Sequence, residues 1–221
     1  MTNKLLQRFR SIPEHSILLL GVILFVFIFP LFESGPMKGY LITLSYTLMI
    51  LSVGSIVEFK SKWMIYLIAL AVILQWVSFL SRTYNLLFLN YISFSFSLIV
   101  FSIATYMMVN QIIKSKVVNA QLIIQTITGY LLIGIIFTLV TVLQLSYNPI
   151  AIGFDESIPT LGDIIYYCFV TFTTIGYGDI SPVTQAARGF AILFGLIGQL
   201  YLTIIIAFII GKYLNSKNQK N

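Results

Sequence analysis

Charge is what this sequence has least of. Only 9% of its 221 residues are charged, against 58% hydrophobic; soluble domains carry about 25% charged residues. That balance excludes a soluble fold with an anchor and leaves no chain for a water-facing catalytic domain. There is one cysteine, Cys168, so an intrachain disulfide is impossible. Its apolar, aromatic neighbours point to a packed side chain rather than a reactive thiol. There is one histidine, His15, and no cluster of acids and bases, so an enzyme is not expected. The net charge is +6, but the basic residues sit singly at the ends of apolar runs. Nucleic acid is therefore not an expected partner.

What is abundant is long apolar sequence. A spanning helix needs about 20 such residues. Six segments qualify: Ser16–Phe32, Gly39–Val57, Trp63–Leu80, Leu86–Val109, Ala120–Leu145 and Ala187–Leu214. The first is longer than a signal-peptide core and lacks a small-residue cleavage site, so it is kept as a span. With both termini in the cytoplasm, ten basic residues fall inside (Lys4, Arg8, Arg10, Lys60, Lys62, Lys114, Lys116, Lys212, Lys217, Lys220). Three fall outside: Lys38, Arg82 and Arg188. That asymmetry fits the positive-inside rule and supports a multi-pass plasma-membrane protein. It also puts residues 146–186, with Asp155 and Glu156, on the outer face.

One short helix is readable in that outer loop. Thr160 precedes "LGDIIYYCFVTF" and Asp163 stands three residues on, a capping-box spacing that predicts a helix over Leu161–Phe172. It is too short to span, and such a half-helix is stable in a membrane only when protein buries it or water lines it. Its C-terminal end carries partial negative charge and attracts a cation. The chain then runs through "TFTTIGYGDISP" as non-helical backbone, whose carbonyls need partners in a medium without water. Gly176 and Gly178, at alternate positions, permit positive φ. Successive carbonyls of Thr174, Ile175, Gly176 and Tyr177 can then face one axis, where four copies replace a cation's hydration shell.

"TTIGYGD" resembles the selectivity filter of the tetrameric potassium channels, and the resemblance extends over roughly residues 119–214. It implies an all-α membrane protein: six transmembrane helices, a re-entrant pore helix and a filter loop, assembled as a homotetramer in the lipid bilayer. Thr174, Ile175, Gly176, Tyr177 and Gly178 would form the filter, with potassium, the transported substrate, at Thr174–Tyr177. No cofactor and no soluble ligand is implied. Asp179, Tyr167 and Thr173 would support the filter, with a Tyr167–Asp179 hydrogen bond in place of the family's tryptophan–aspartate pair. Val170 stands where some relatives have glutamate, and Ser181 where many have an aromatic residue that holds external tetraethylammonium. Gly198 matches the family's hinge glycine; hinge and close packing both remain open for it and for Gly195. Gln199, Leu202, Ile206 and Ile210 recur at helical spacing and would face the cavity, where apolar rings can close a pore by dewetting. For Gln199 an interhelical hydrogen bond is equally open.

The expected organisation is a cytoplasmic N-terminus (1–15), a four-helix module resembling a voltage sensor (16–109), a linker (110–119), a pore domain (120–214) and a cytoplasmic tail (215–221). The fourth segment, "LLFLNYISFSFSLIVFSIATYMMVN", has no Lys or Arg. The tail is too short for a ligand module, and its lysines, Lys212 included, are expected to be solvated or to touch anionic lipid. A non-conducting subunit is disfavoured by the intact filter, and a transporter component by the single pore loop. Each charge crossing 100 mV is worth about 2.3 kcal/mol, and steep opening takes about 3–4 per subunit. Currents from this protein should therefore depend only weakly on voltage. A limiting slope equivalent to several charges per channel contradicts this.

Overall fold

The computed structural model describes residues 16–28, 36–56, 62–81, 87–115, 118–154 and 159–218. Helix α1 (Ser16–Ile23) runs into a π-helical turn, Leu24–Ile28. It is followed by α2 (Pro36–Ile56), α3 (Lys62–Ser81), α4 (Leu87–Lys114), α5 (Ala120–Tyr147), α6 (Leu161–Phe172) and α7 (Gln185–Asn218). His15, Glu58, Asp155, Glu156 and the basic residues Lys4, Arg8, Arg10, Lys60, Arg82, Lys116 and Lys220 lie outside the described residues.

Among the described residues four helices are long and apolar enough to cross a membrane, over Trp63–Leu80, Phe88–Lys114, Ala120–Tyr147 and Gln185–Lys212. The first two of the six expected spans appear as shorter apolar stretches, Ser16–Ile28 and Gly39–Gly54. This is a membrane protein. Several threonine hydroxyls in its spans fold back on their own helices. Thr43, Thr126, Thr128 and Thr138 each donate to the carbonyl four residues earlier, at 2.7–3.0 Å. That satisfies the hydroxyl without leaving the helix.

Helix α5 is the centre of the structure. Asn119 caps it, its side chain accepting from the Leu122 amide at 2.9 Å. Thr128, Leu132, Ile135, Phe137 and Thr141 along it are essentially inaccessible. It packs against α1 and α4 on one side and α6 and α7 on the other, so the four-helix module rests on its own chain's pore half. Helix α7 is far less covered, and Ile192, Leu196, Leu200, Ile204, Ile206 and Ile210 are all exposed.

Two expectations need correction. The linker read as 110–119 is helical up to Lys114. Nothing in "NQIIK" breaks a helix, and Gln125 Nε2 donates to Gln111 Oε1 at 3.2 Å, holding this last stretch against α5. Nor is Lys212 a free solvated end: its ammonium donates to the carbonyls of Ile112 (3.3 Å), Ile113 (3.1 Å) and Ser115 and lies over the Phe208 ring. A cation there satisfies orphan carbonyls and meets the negative end of α4's dipole. The outer loop carries a strand pair besides the short helix. Strand β1 (Ile152–Gly153) pairs antiparallel with β2 (Ser181–Pro182), tying the end of α5 to the segment after the glycine loop.

For Gly198, left open between hinge and packing, the structure supplies a packing role. A Cβ there would lie 2.2 Å from the Phe172 carbonyl oxygen and 3.0 Å from its ring, whereas at Gly189 it would meet nothing within 4 Å. Gly198→Ala should therefore lower stability by about 1–3 kcal/mol, the usual cost of overpacking. Gly189→Ala should be neutral or mildly stabilising. Thermal unfolding of the two variants in detergent reads the difference.

Candidate ion-binding loop

The loop is set by the helix before it. Thr160 and Asp163 form a capping box: Asp163 N–H donates to Thr160 Oγ1 at 3.3 Å, and Thr160 N–H donates to Asp163 Oδ2 at 2.8 Å. Helix α6 thus starts and stops where the sequence predicts. Its inner face is buried through Ile164, Ile165, Cys168 and Phe172. Phe172 packs against Tyr130 at 4.6 Å between ring centroids, and Phe137 of α5 stacks on Phe194 of α7 at 4.4 Å. Cys168 is buried and donates to Thr141 Oγ1 at 3.2 Å, an inert packed thiol.

The C-terminal end of α6 is closed by Thr173. Its amide donates to Phe169 O at 2.9 Å and its hydroxyl to the same oxygen at 2.6 Å. Beyond it the amides of Ile175 and Gly176 both donate to Val170 O, at 3.1 and 3.2 Å. The amides of Thr174, Ile175 and Gly176 are thus committed to the helix. None of the carbonyls of residues 174–178 accepts a backbone hydrogen bond among the described residues.

The backbone angles explain where those carbonyls go. φ is +64° at Thr174, +60° at Gly176 and +83° at Gly178, with the residues between them negative. Alternation of hand every second residue turns consecutive carbonyls toward one side instead of opposite sides. Glycine takes such angles freely; Thr174 does not, and a non-glycine residue held there costs about 1–3 kcal/mol. Ile175 and Tyr177 are exposed on this chain, 56% and 72%. Two large side chains beside a row of bare carbonyls mark a surface that other groups must complete.

Asp179 is held from the helix, but by a different tyrosine from the one expected. Tyr166 Oη donates to Asp179 Oδ2 at 2.7 Å. Tyr167 is buried, 3% exposed, on the opposite face, 6.0 Å from the Phe137 ring. One residue along a helix is a turn of about 100°, enough to exchange the face that looks at the loop for the face that looks at α5. Thirteen residues separate the bonded pair, and counting that span instead of twelve is the signal that finds Tyr166. The bond holds the Asp179 carboxyl below the ordinary carboxylate range. Its contribution is present above that range and is lost as pH falls through the lowered value. Val170 leaves this carboxylate without an acidic neighbour from the helix; both line a cavity of about 180 Å³ behind the loop with Tyr166, Thr171 and Ala191.

Of the remaining expected residues, Gln199, Leu202, Ile206 and Ile210 are all exposed on α7. Gln199 forms no side-chain bond to another helix among the described residues, and its carbonyl accepts from the Thr203 hydroxyl at 2.8 Å. Sequence reading missed Tyr201, whose hydroxyl donates to Thr126 O at 2.9 Å and joins α7 to α5.

Residues 126–215 match the family model described as "Ion channel". Two pore potassium channel c of Oryza sativa subsp. japonica is 49% identical over 47 residues, 21% of this chain and 10% of that protein. Two-pore potassium channel 5 of Arabidopsis thaliana is 35% identical over 85 residues, 36% of this chain and 21% of that protein. Small conductance calcium-activated potassium channel-like protein 3 of Caenorhabditis elegans is 36% identical over 74 residues, 34% of this chain and 10% of that protein. The matches thus span a tenth to about a fifth of these relatives' lengths. No solved structure matches. Over residues 126–215 the chain is thus similar to the ion channel family and, over shorter stretches, to potassium channels.

Tyr166→Phe should change the rate at which currents decay during sustained conduction, while Tyr167→Phe leaves it alone. Equal effects would mean that the hydrogen bond is irrelevant. Ser181 is exposed in β2 and offers no ring. External tetraethylammonium should therefore block only weakly, and micromolar block contradicts that.

Proposed function

We propose that four copies of this chain surround one axis as a potassium-selective channel that conducts passively across the plasma membrane and is not steeply gated by voltage. The observation that carries the proposal is the run of carbonyls at Thr174–Gly178, which have no backbone donor and share one hand of alternation. In hydrocarbon such groups cost several kcal/mol each unless something replaces water. A dehydrated monovalent cation held by rings of these oxygens does so.

The fourfold arrangement is supported by what one chain leaves bare. Ile175 and Tyr177 stand exposed beside the loop, and α7 shows a polar Gln199 and Thr203 in the middle of a span. Polar groups at that depth face a bundle interior or water. Leu202, Ile206 and Ile210 below them would then line the inner passage, narrow enough to close by dewetting. The six-span topology with both termini in the cytoplasm rests on the charge asymmetry and on α2, whose 21 residues reach about 31 Å at 1.5 Å each. Weak voltage dependence rests on the uncharged α4, which has no basic residue before Lys114.

Purified protein in liposomes should take up rubidium or potassium down its gradient, with no coupled ion. Gly176 takes φ +60°, so Gly176→Ala should abolish selective uptake while the protein still folds and assembles by size. Uptake that needs a second ion gradient, or selective uptake unchanged in the variant, contradicts the proposal.

A further inference from the structure

Helix α4 carries no basic residue before Lys114, but the four-helix module is not without polarity. Thr43, Ser45, Ser52, Gln75, Ser78, Ser93, Ser97 and Thr105 are all buried there. Most are accounted for. Gln75 Nε2 donates to Thr43 O at 2.8 Å, Thr43 donates to Gly39 O, and Ser78 donates to Asn90 Oδ1. Others are not. The hydroxyls of Tyr46, Ser97 and Thr105 are inaccessible and complete no hydrogen bond. Ser93, 5% exposed and one turn from Ser97 on α4, forms no side-chain hydrogen bond among the described residues.

Two of these groups, Tyr46 and Ser93, border a space. A cavity of about 230 Å³ lies between the module and the pore half. Ser93 and Tyr46 form part of its wall, with Thr43 and Gln75 nearby and Thr138 of α5 opposite. The rest is mainly aliphatic and aromatic, and among the described residues no charged side chain lines it. Leu161 and Ile164, in the first turn of the pore helix α6, close one side. A mostly apolar cavity with a few placed polar groups is the usual form of a small-molecule site. An unbonded hydroxyl in a membrane interior is the kind of group that a ligand's donor or acceptor would satisfy.

We propose that this cavity is a binding site for a neutral amphiphile: an apolar body carrying one hydroxyl or carbonyl, with Ser93 as its hydrogen-bond partner. A charged ligand finds no counter-charge in the wall and would carry its full desolvation cost. The pore helix is one wall, so occupancy bears on the element that holds the glycine loop. The module, without gating charges, then acts as a ligand-bearing unit.

The test uses the full chain in lipid nanodiscs, with a phenol bearing a diazirine group as probe. Its readout, labelled positions found by mass spectrometry, does not depend on ion conduction, so it stands or falls separately from the channel reading. Labelling should concentrate on residues 42–46, 75–79 and 135–142 and be displaced by excess unreactive phenol. Ser93→Ala, which keeps the fold, should weaken that displacement about fivefold, the worth of one hydrogen bond. Ser93→Leu, which fills the space, should remove saturable labelling. Labelling that spreads over lipid-facing residues such as Tyr66 and Ile192, or is unchanged in both variants, overturns the proposal.

Discussion

A peptide carbonyl in hydrocarbon must have a partner. Helices meet that demand within themselves, and residues 174–178 do not. The surroundings of the loop serve to hold five residues of unpaired backbone in a place where unpaired backbone is costly. The amides of Ile175 and Gly176 are anchored on Val170 O, so the strip cannot collapse back onto α6. Tyr166 fixes its outer end through Asp179, and the β1–β2 pairing ties Ser181 and Pro182 to the end of α5. With the amides of Thr174 to Gly176 committed to the helix, the loop's carbonyls are left without backbone donors among the described residues.

The second dependence is close approach. Helix α6 can hold the loop only if α7 lies directly against its last turn, and Gly198 makes room for the Phe172 carbonyl. Tyr201 and Phe194 then lock α7 to α5 through a hydrogen bond and a stacked ring pair. At the far end Lys212 joins the same helix to the end of α4, by way of carbonyls that no residue of α4 could satisfy. One helix therefore touches the loop's support at one end and the four-helix module at the other.

Much of this was legible in sequence because the membrane removes choices. With no water to satisfy backbone, apolar runs must be helices, and the pore helix Leu161–Phe172 with its capping box was readable to the residue. The glycine spacing in "TTIGYGD" likewise announced the positive φ at 176 and 178. Thr174 at +64° was not legible, because nothing in a threonine signals a left-handed backbone. The exchange of Tyr167 for Tyr166 was lost because two adjacent tyrosines look alike in sequence and differ only in the helix face they occupy. Lys212 failed for a different reason: its partners lie about a hundred residues earlier and are backbone atoms, invisible to any reading of side-chain pattern. The capacity of the four-helix module to hold a cavity was equally hidden, since its serines read only as dilution of an apolar run.

The proposed channel function rests on the bare carbonyls replacing the hydration shell of potassium in preference to that of sodium. The most direct measurement is the reversal potential of purified protein in a planar bilayer, with potassium on one side and sodium on the other. Rings of carbonyls spaced for the larger ion predict a reversal far toward the potassium equilibrium potential. A reversal near zero would mean that the loop passes both ions alike, and would contradict that selectivity.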